Sequence, residues 1–471
     1  MKRSAVFGIM LLIGIADVSG QVAQLDRYIK AGLHYNSTIR QEQADYRSAK
    51  EALLEARSRF LPELWLKSRY TRADGGRSVT IPVGEMVQES FRDTPLGAML
   101  STSSPPDPVT ITIMPETEQE TKLQLIQPLF APALVANHRL QSQLLSVREM
   151  ALQAATLTLV RDIRLAYFSC LQAQEVLTLY DAAAQRSARH LETARKLFDA
   201  GSANATAVLA AKAAHAQSMT VCERGRNEYL IACRAFNLLL GYPLDTTLQL
   251  EQPDSSDFLT ILDGNKLSDG NASGSTEAVR RPEILQLEAA EAASRSYLSV
   301  EKSGFAPTLA AALEGGIIGD RYALSERTLF YTASVLLEWE LFSGLGRMRK
   351  VRMAHAALDK IIEQKKDVER QIRLQIEKCS ADLSLARRVC SDSELQVAAA
   401  EKHHEAVFKQ FEQGRANATD LTEAGELLTK AQTARTVARY DLFKQQAHLR
   451  YATATDTVWL AEIHQSTGST R

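Results

Sequence analysis

Two stretches free of helix breakers constrain this chain more than any other feature. Residues 133–200 contain neither Gly nor Pro over 68 positions, and residues 347–413 contain neither over 67. Gly and Pro are the strongest local interruptions of a helix. Each stretch can therefore run as one helix, roughly 100 Å long at about 1.5 Å per residue. Helices of compact domains average about 11–12 residues. Two rods of matched length point away from a compact enzyme and toward a duplicated, rod-like architecture.

The duplication is legible by self-comparison. Residues 198–206 (FDAGSANAT) match residues 411–419 (FEQGRANAT) at an offset of 213. Phe130 aligns with Phe342 at 212, and Ile39 and Pro62 align with Ile284 and Pro307 at 245. The change in offset puts an insertion of 245 − 212 = 33 residues between Pro62 and Phe130. Each repeat reads as helix, hairpin, long helix, turn, helix. The boundaries are residues 21–243 for the first repeat, with a hairpin at about 62–130 that carries a long surface loop at 74–118. A linker at 244–280, rich in Asp, Ser, Gly and Asn, leads to the second repeat at 281–455, with a hairpin at about 307–342. Residues 456–471 form a flexible tail.

Turn chemistry supports this division. Pro62 and Pro307 end the first helix of each repeat, and Pro132 opens a long helix at a position where proline is tolerated. Gly201 and Gly414 are placed as C-caps of the long helices. Ser202 and Asn204, or Asn417 and Thr419, then cap the returning helices, which run to about Leu240 and Tyr451. Gly225 and Gly425 interrupt those helices, and local bends are expected there.

The hydrophobic period changes in the hairpins. Over residues 328–340, Tyr331, Ala333, Val335, Leu337 and Trp339 alternate with Thr332, Ser334, Leu336 and Glu338. One face is apolar with an aromatic at each end, as on the lipid side of a transmembrane β-strand. The face presented to lipid would carry Tyr331, Val335, Leu337 and Trp339. Leu123 and Leu125 against Lys122 and Gln124 read the same way, as do Leu64 and Leu66 against Trp65 and Lys67. A half-buried soluble hairpin shows the same alternation. Four strands per chain are too few to close a barrel, so closure would require several copies.

Residues 1–20 read as a signal peptide: Lys2 and Arg3, an apolar core from Val6 to Ile15, then Val18-Ser19-Gly20. No Cys occurs in the first 169 residues, so the exported chain is expected to start without a lipid anchor. The net charge of −1 carries no nucleic-acid signal. Cys379 and Cys390 fall on a stripe with Val368, Ile372, Ile376, Leu383 and Ala386, and Cys222 and Cys233 on one with Met219, Tyr229, Phe236 and Leu240. These are seam positions, where Cys acts as a small hydrophobe. Bonds between neighbouring helices stay open as an alternative in an oxidising compartment. The nine His are scattered, and the adjacent pair His403-His404 lacks metal-ligand spacing. Without a nucleophile elbow, phosphate loop or CxxC, no enzyme, cofactor or metal site is expected.

Taken together, an exported chain with two helix–hairpin–long-helix–turn–helix repeats resembles the TolC-type outer-membrane efflux proteins over about residues 25–455. Arg281-Pro282-Glu283-Ile284 resembles the family's opening of the second repeat, and the Phe-x-x-Gly tips its helical turns. The resemblance implies a mainly α fold with a small β part. Three protomers would share a 12-strand β-barrel in the outer membrane that continues into a periplasmic α-helical barrel. It implies a homotrimer working with a periplasmic adaptor and an inner-membrane pump, conducting substrates passively. Asp420 and Glu423 match the family's aperture acids, the second as Glu instead of Asp, and Gly201, Ser202, Gly414 and Arg415 become the adaptor-contacting tips. The first repeat departs from the pattern, with Ala207 at the position corresponding to Asp420, and Arg415 stands one place from the family's gating arginine. The competing expectation is an exported coiled-coil scaffold without a pore.

Overall fold

The computed structural model describes residues 20–74, 78–92, 94, 107–112, 116–201, 204–251, 281–322, 325–326, 328–456 and 458–460. The expected signal peptide up to residue 19, Ser202, much of the 74–118 loop, the linker from 252 to 280 and the tail beyond 460 lie outside them. In chain order the elements are α1 (Gly20–Tyr35), α2 (Ser37–Ser58), β1 (Glu63–Arg72), β2 (Ser78–Ile81), α3 (Val83–Ser90), β3 (Val109–Thr112) and β4 (Thr117–Phe130). They continue as α4 (Pro132–Asp199), α5 (Ala205–Leu240), α6 (Pro282–Ser303), β5 (Thr308–Gly319), β6 (Leu329–Glu338), α7 (Gly346–Glu412) and α8 (Ala418–Ala452). The fold is mainly α with a small β part. No described helix is long and apolar enough to cross a membrane.

The two breaker-free stretches are single helices, α4 of 68 residues and α7 of 67. Both stop at a glycine in the left-handed region, Gly201 at φ +71° and Gly414 at φ +70°. After α7 the Gly414 N–H donates to Phe411 O and the Arg415 N–H to Gln410 O, so two of the orphaned terminal carbonyls are satisfied. Asn204 caps α5 by accepting from the Ala207 N–H at 3.0 Å. α5 and α8 run unbroken through Gly225 and Gly425. At Gly225 the reason for glycine is space: a Cβ there would lie 2.7 Å from Cδ2 of Tyr180.

The chain divides into two units. The first comprises residues 1–50, 143–292 and 358–471. Its core gathers Ile29 and Leu33 of α1, Val160, Ile163, Tyr167 and Leu171 of α4, Phe236 and Leu240 of α5, Leu383 of α7, and Tyr440, Leu442 and Phe443 of α8. Helix α1 has no counterpart in the sequence reading. It ends at Asn36, whose side chain donates to Leu239 O at 2.8 Å and accepts from the Thr38 N–H, joining α1, α2 and α5. The first linker residues pack on this core, where Gln249 O accepts from Tyr28 and Glu251 O accepts from Tyr167, each at 3.0 Å. Burial raises the Tyr167 hydroxyl to about 12. Asp456 and Trp459, at the start of the segment read as a flexible tail, are buried as well, Asp456 between Arg164 and Arg450.

The seam expected on α7 is present, with Ile372, Cys379, Leu383, Cys390 and Val397 buried. On α5 it passes through Cys222, Gly225 and Phe236, while Met219 is exposed and stands off it. All five cysteines are free thiols. The 281–284 motif opens α6 as a structural node. The buried Arg281 donates to Gln375 Oε1 at 2.7 Å, pairs with Glu283, and lies 4.6 Å from the Tyr451 ring centroid. Burial works to raise the Glu283 carboxyl, but the hydrogen bonds from Arg281 and Tyr451 hold it below its ordinary value.

The second unit comprises residues 51–142 and 293–357 and holds a four-stranded antiparallel sheet in the order β1-β4-β5-β6. Register pairs Leu66 with Leu123, Leu125 with Leu313, and Ala311 with Val335. The insertion, read as a surface loop, contains structure of its own. β2 and β3 form a two-stranded ribbon, and α3 lies between them in sequence.

Candidate functional site

Residues directly opposite in a sheet share a face, so the register assigns every side chain of the four strands. One face carries Leu64, Leu66 and Tyr70 of β1, Leu123 and Leu125 of β4, Leu309, Ala311 and Leu313 of β5, and Tyr331, Ala333, Val335 and Leu337 of β6. This face is uncovered, with Leu66 at 71%, Val335 at 68% and Tyr331 at 91% exposure. Trp339 lies just past β6, its indole N–H donating to Phe305 O at 3.0 Å. The four strand residues singled out from the sequence are thus all exposed.

The opposite face carries the charged side chains of the sheet, interspersed with Trp65, Ile318, Phe330 and Leu336. Lys122 lies 2.9 Å from Glu120 and 3.0 Å from Glu314, Gln124 donates to Glu314, and Arg69 lies 3.4 Å from Glu120. Sequence reading marked Lys122 and Gln124 as polar alternates but missed the network. Its partners come from three strands, and Lys122 and Glu314 are 192 positions apart.

The helix turns hold the other expected residues. Gly201, Gly414 and Arg415 are exposed, and a Cβ at either glycine would meet nothing within 4 Å. Asp420 and Glu423 are exposed on the first turns of α8, while Leu421 and Ala424 between and beside them are buried. Asp420 has a structural role in addition: its Oδ2 accepts from the Asn417 N–H at 3.0 Å, as the N3 acid of a capping box does. The first turn of α5 has Ala207 there and lacks that bond.

A cavity of about 340 Å³ lies between α4, α5 and α8, lined by Arg186, Ser187, His190, Ala211, Thr429 and Lys430 among others. Beside it His190 of α4 stacks on His404 of α7 at 5.6 Å between centroids, and Phe408 stacks on His190 at 5.8 Å. Burial lowers His190 to about 4, with His404, Arg186 and Arg189 adding repulsion. Burial lowers His404 too, helped by Arg186 and His403. The sequence reading saw only the adjacent pair His403-His404. A signal was present: His190 stands eleven residues before Gly201 and His404 ten before Gly414. Among the described residues no group of three metal-ligating side chains converges.

The chain superposes on solved outer-membrane channels of low sequence identity. With CusC the TM-score is 0.73 at 14% identity, covering 92% of each chain. With the Campylobacter jejuni CmeC outer membrane channel it is 0.73 at 13%, covering 94% of this chain and 89% of that one. With VceC, an outer membrane protein of Vibrio cholerae, it is 0.71 at 16%, covering 92% and 96%. No curated protein matches the sequence. The outer membrane efflux protein family matches residues 29–242 and 275–455, which take in both long helices, all four strands of the main sheet and both turns. The chain therefore belongs to the outer membrane efflux protein family, whose members are TolC-like channels.

Proposed function

We propose that three copies of this chain form an exit duct for efflux or secretion. Their twelve strands would close a barrel in the outer membrane, continuing into an α-helical barrel in the periplasm. The observation that carries this reading is the two-faced sheet. Its uncovered apolar face suits lipid, its charged face suits a water-filled lumen, and β1 and β6 each have a strand partner on one side only among the described residues. Unpaired edges within a bilayer are not tolerated, so further copies must complete the ring. The duplication supports the same reading, since α2, β1, β4, α4, α5 and α6, β5, β6, α7, α8 follow the same order.

Conduction is passive, and energy comes from an inner-membrane pump joined through a periplasmic adaptor. The exposed turns at Gly201, Gly414 and Arg415, with Ser202 next to the first in sequence, are the surface for the adaptor. Asp420 and Glu423, three apart on one exposed face, would form two stacked rings of three carboxylates in the trimer and favour cations. That MtrE of Neisseria gonorrhoeae is described in an open state supports an aperture that moves.

The test is electron microscopy of the detergent-extracted protein with its mass measured in parallel. A hollow cylinder with the mass of three chains is expected. Flexible rods, or a species soluble without detergent, would instead establish the scaffold reading.

A further inference from the structure

We propose that the cavity between α4, α5 and α8 binds a small oxyanion, a carboxylate or a phosphate, on the guanidinium of Arg186. The site lies wholly within the first unit, so it does not depend on the channel reading.

The charged side chains lining the cavity are Arg186, Glu426 and Lys430, which sum to 2 − 1 = +1. Glu426 and Lys430, both on α8, are exposed and opposite in sign, whereas Arg186 is half-buried. His190 also lines the space, but burial holds it at about 4 and it is uncharged at neutral pH. His215 reaches the wall only through Ser187, with Nδ1 at 3.1 Å from Oγ. The adjoining cavity shares Lys430 and adds Glu228 and Lys444, one of each sign.

Arg186 is left without a counter-charge. Its Nη2 donates to Thr429 Oγ1 at 2.9 Å, and among the described residues no carboxylate pairs with it. Most of the guanidinium's N–H donors therefore lack an acceptor. Burial works against its charge, and Arg189 adds repulsion. An imidazole under such pressure gives up its proton, as His190 does, but a guanidinium keeps it. The cost of holding a desolvated cation is relieved when an anion meets it.

The walls suit such a ligand. Two parallel N–H···O bonds to one carboxylate or phosphate are the contact that the guanidinium fork favours. Ser218, Thr422, Thr429 and Thr433 donate their hydroxyl hydrogens to the carbonyl four residues back, at 2.9–3.0 Å. Their oxygens keep lone pairs for donors, as Thr429 does for Arg186, and so accept from hydroxyl or amine groups elsewhere on the ligand. At about 340 Å³ the space falls within the range of pockets that hold small organic molecules, about 300–1,000 Å³. Arg186 stands 15 residues before Gly201, and Thr429 stands 15 after Gly414. An anion on this pair joins the long helix of the first repeat to the returning helix of the second, and its binding favours their contact.

The test is equilibrium dialysis of the detergent-extracted full chain at neutral pH and constant ionic strength. Radiolabelled inorganic phosphate is the probe in one arm and radiolabelled acetate in the other, which separates the two anion classes. A single saturable site per chain is expected for at least one of them. Arg186→Met keeps an unbranched stem and is expected to weaken binding about tenfold or more. Arg186→Lys keeps the charge but not the fork and should fall between, so it reports even if the methionine variant folds poorly. Lys430→Met should bind as the parent does. No saturable uptake of either anion would overturn the site, since water then suffices for Arg186. Equal uptake by the parent and both Arg186 variants would overturn it too, as would loss in Lys430→Met alone, which puts the anion on an exposed lysine.

Discussion

At the residue scale, glycines that look alike in sequence do different things. Gly225 and Gly425 both lie inside returning helices. A Cβ at 225 would press on Tyr180 at 2.7 Å, whereas one at 425 would meet His190 and His404 at an ordinary 3.9 Å. Gly225→Ala is therefore expected to destabilise by about 1–3 kcal/mol through overpacking. Gly425→Ala should be neutral or stabilising by up to about 1 kcal/mol. Thermal unfolding of the two variants side by side checks the contrast, and equal shifts would refute the packing reason. The histidine stack has its own signature. His190 is held at about 4, below the ordinary imidazole value, by burial and by His404, Arg186 and Arg189. Between about pH 4 and 6.5 the unfolded chain then binds more protons than the folded one. Stability present above pH 6.5 is lost as the pH falls through that window. The thermal midpoint is expected to drop from pH 7 to pH 5, and His190→Phe to flatten the drop; parallel profiles would assign the acid sensitivity elsewhere.

At the element scale, the sheet shows how far a local pattern reaches. Alternation in β6 was legible because Tyr331, Val335 and Leu337 recur with period two, and the register extends their face over all four strands. Thr308–Gly319 offers no such pattern, since its small residues carry little hydrophobic contrast. Val335→Arg places a charge in the middle of the apolar face. An arginine facing lipid near the bilayer centre costs about 2–4 kcal/mol, so the yield of membrane-assembled protein should fall sharply. The same change at Ser334, on the charged face, should be tolerated. Equal yields from Val335→Arg and the parent would remove lipid from that face. The 74–118 insertion was misread as plain loop because Ser78–Ile81 and Val109–Thr112 are too short for periodicity to register.

At the scale of the whole molecule, Asp420 connects structure to conduction. Its carboxylate caps α8 through the Asn417 N–H, so an alanine there would fray the helix as well as discharge the ring. Asp420→Asn with Glu423→Gln separates the two effects, because the amide oxygen of Asn can still accept that bond. Cation preference in bilayer conductance is expected to weaken in this pair while thermal stability stays near that of the parent. An unchanged preference would reduce both acids to helix-capping and solvent-facing roles.

The sequence by itself determined the lengths of the long helices, their glycine stops, the alternating strands and the buried cysteine seam, and from their order the family. Each follows from what a residue does to its neighbours within a few positions: a breaker, a cap or a period. Only the tertiary structure decided that His190 stacks on His404, that Lys122 bridges Glu120 and Glu314, that Arg281 meets Tyr451, and that Gly225 is there for Tyr180. Most of those partners lie tens to hundreds of positions apart. Which of them meet depends on strand register and helix packing, which local propensity does not encode.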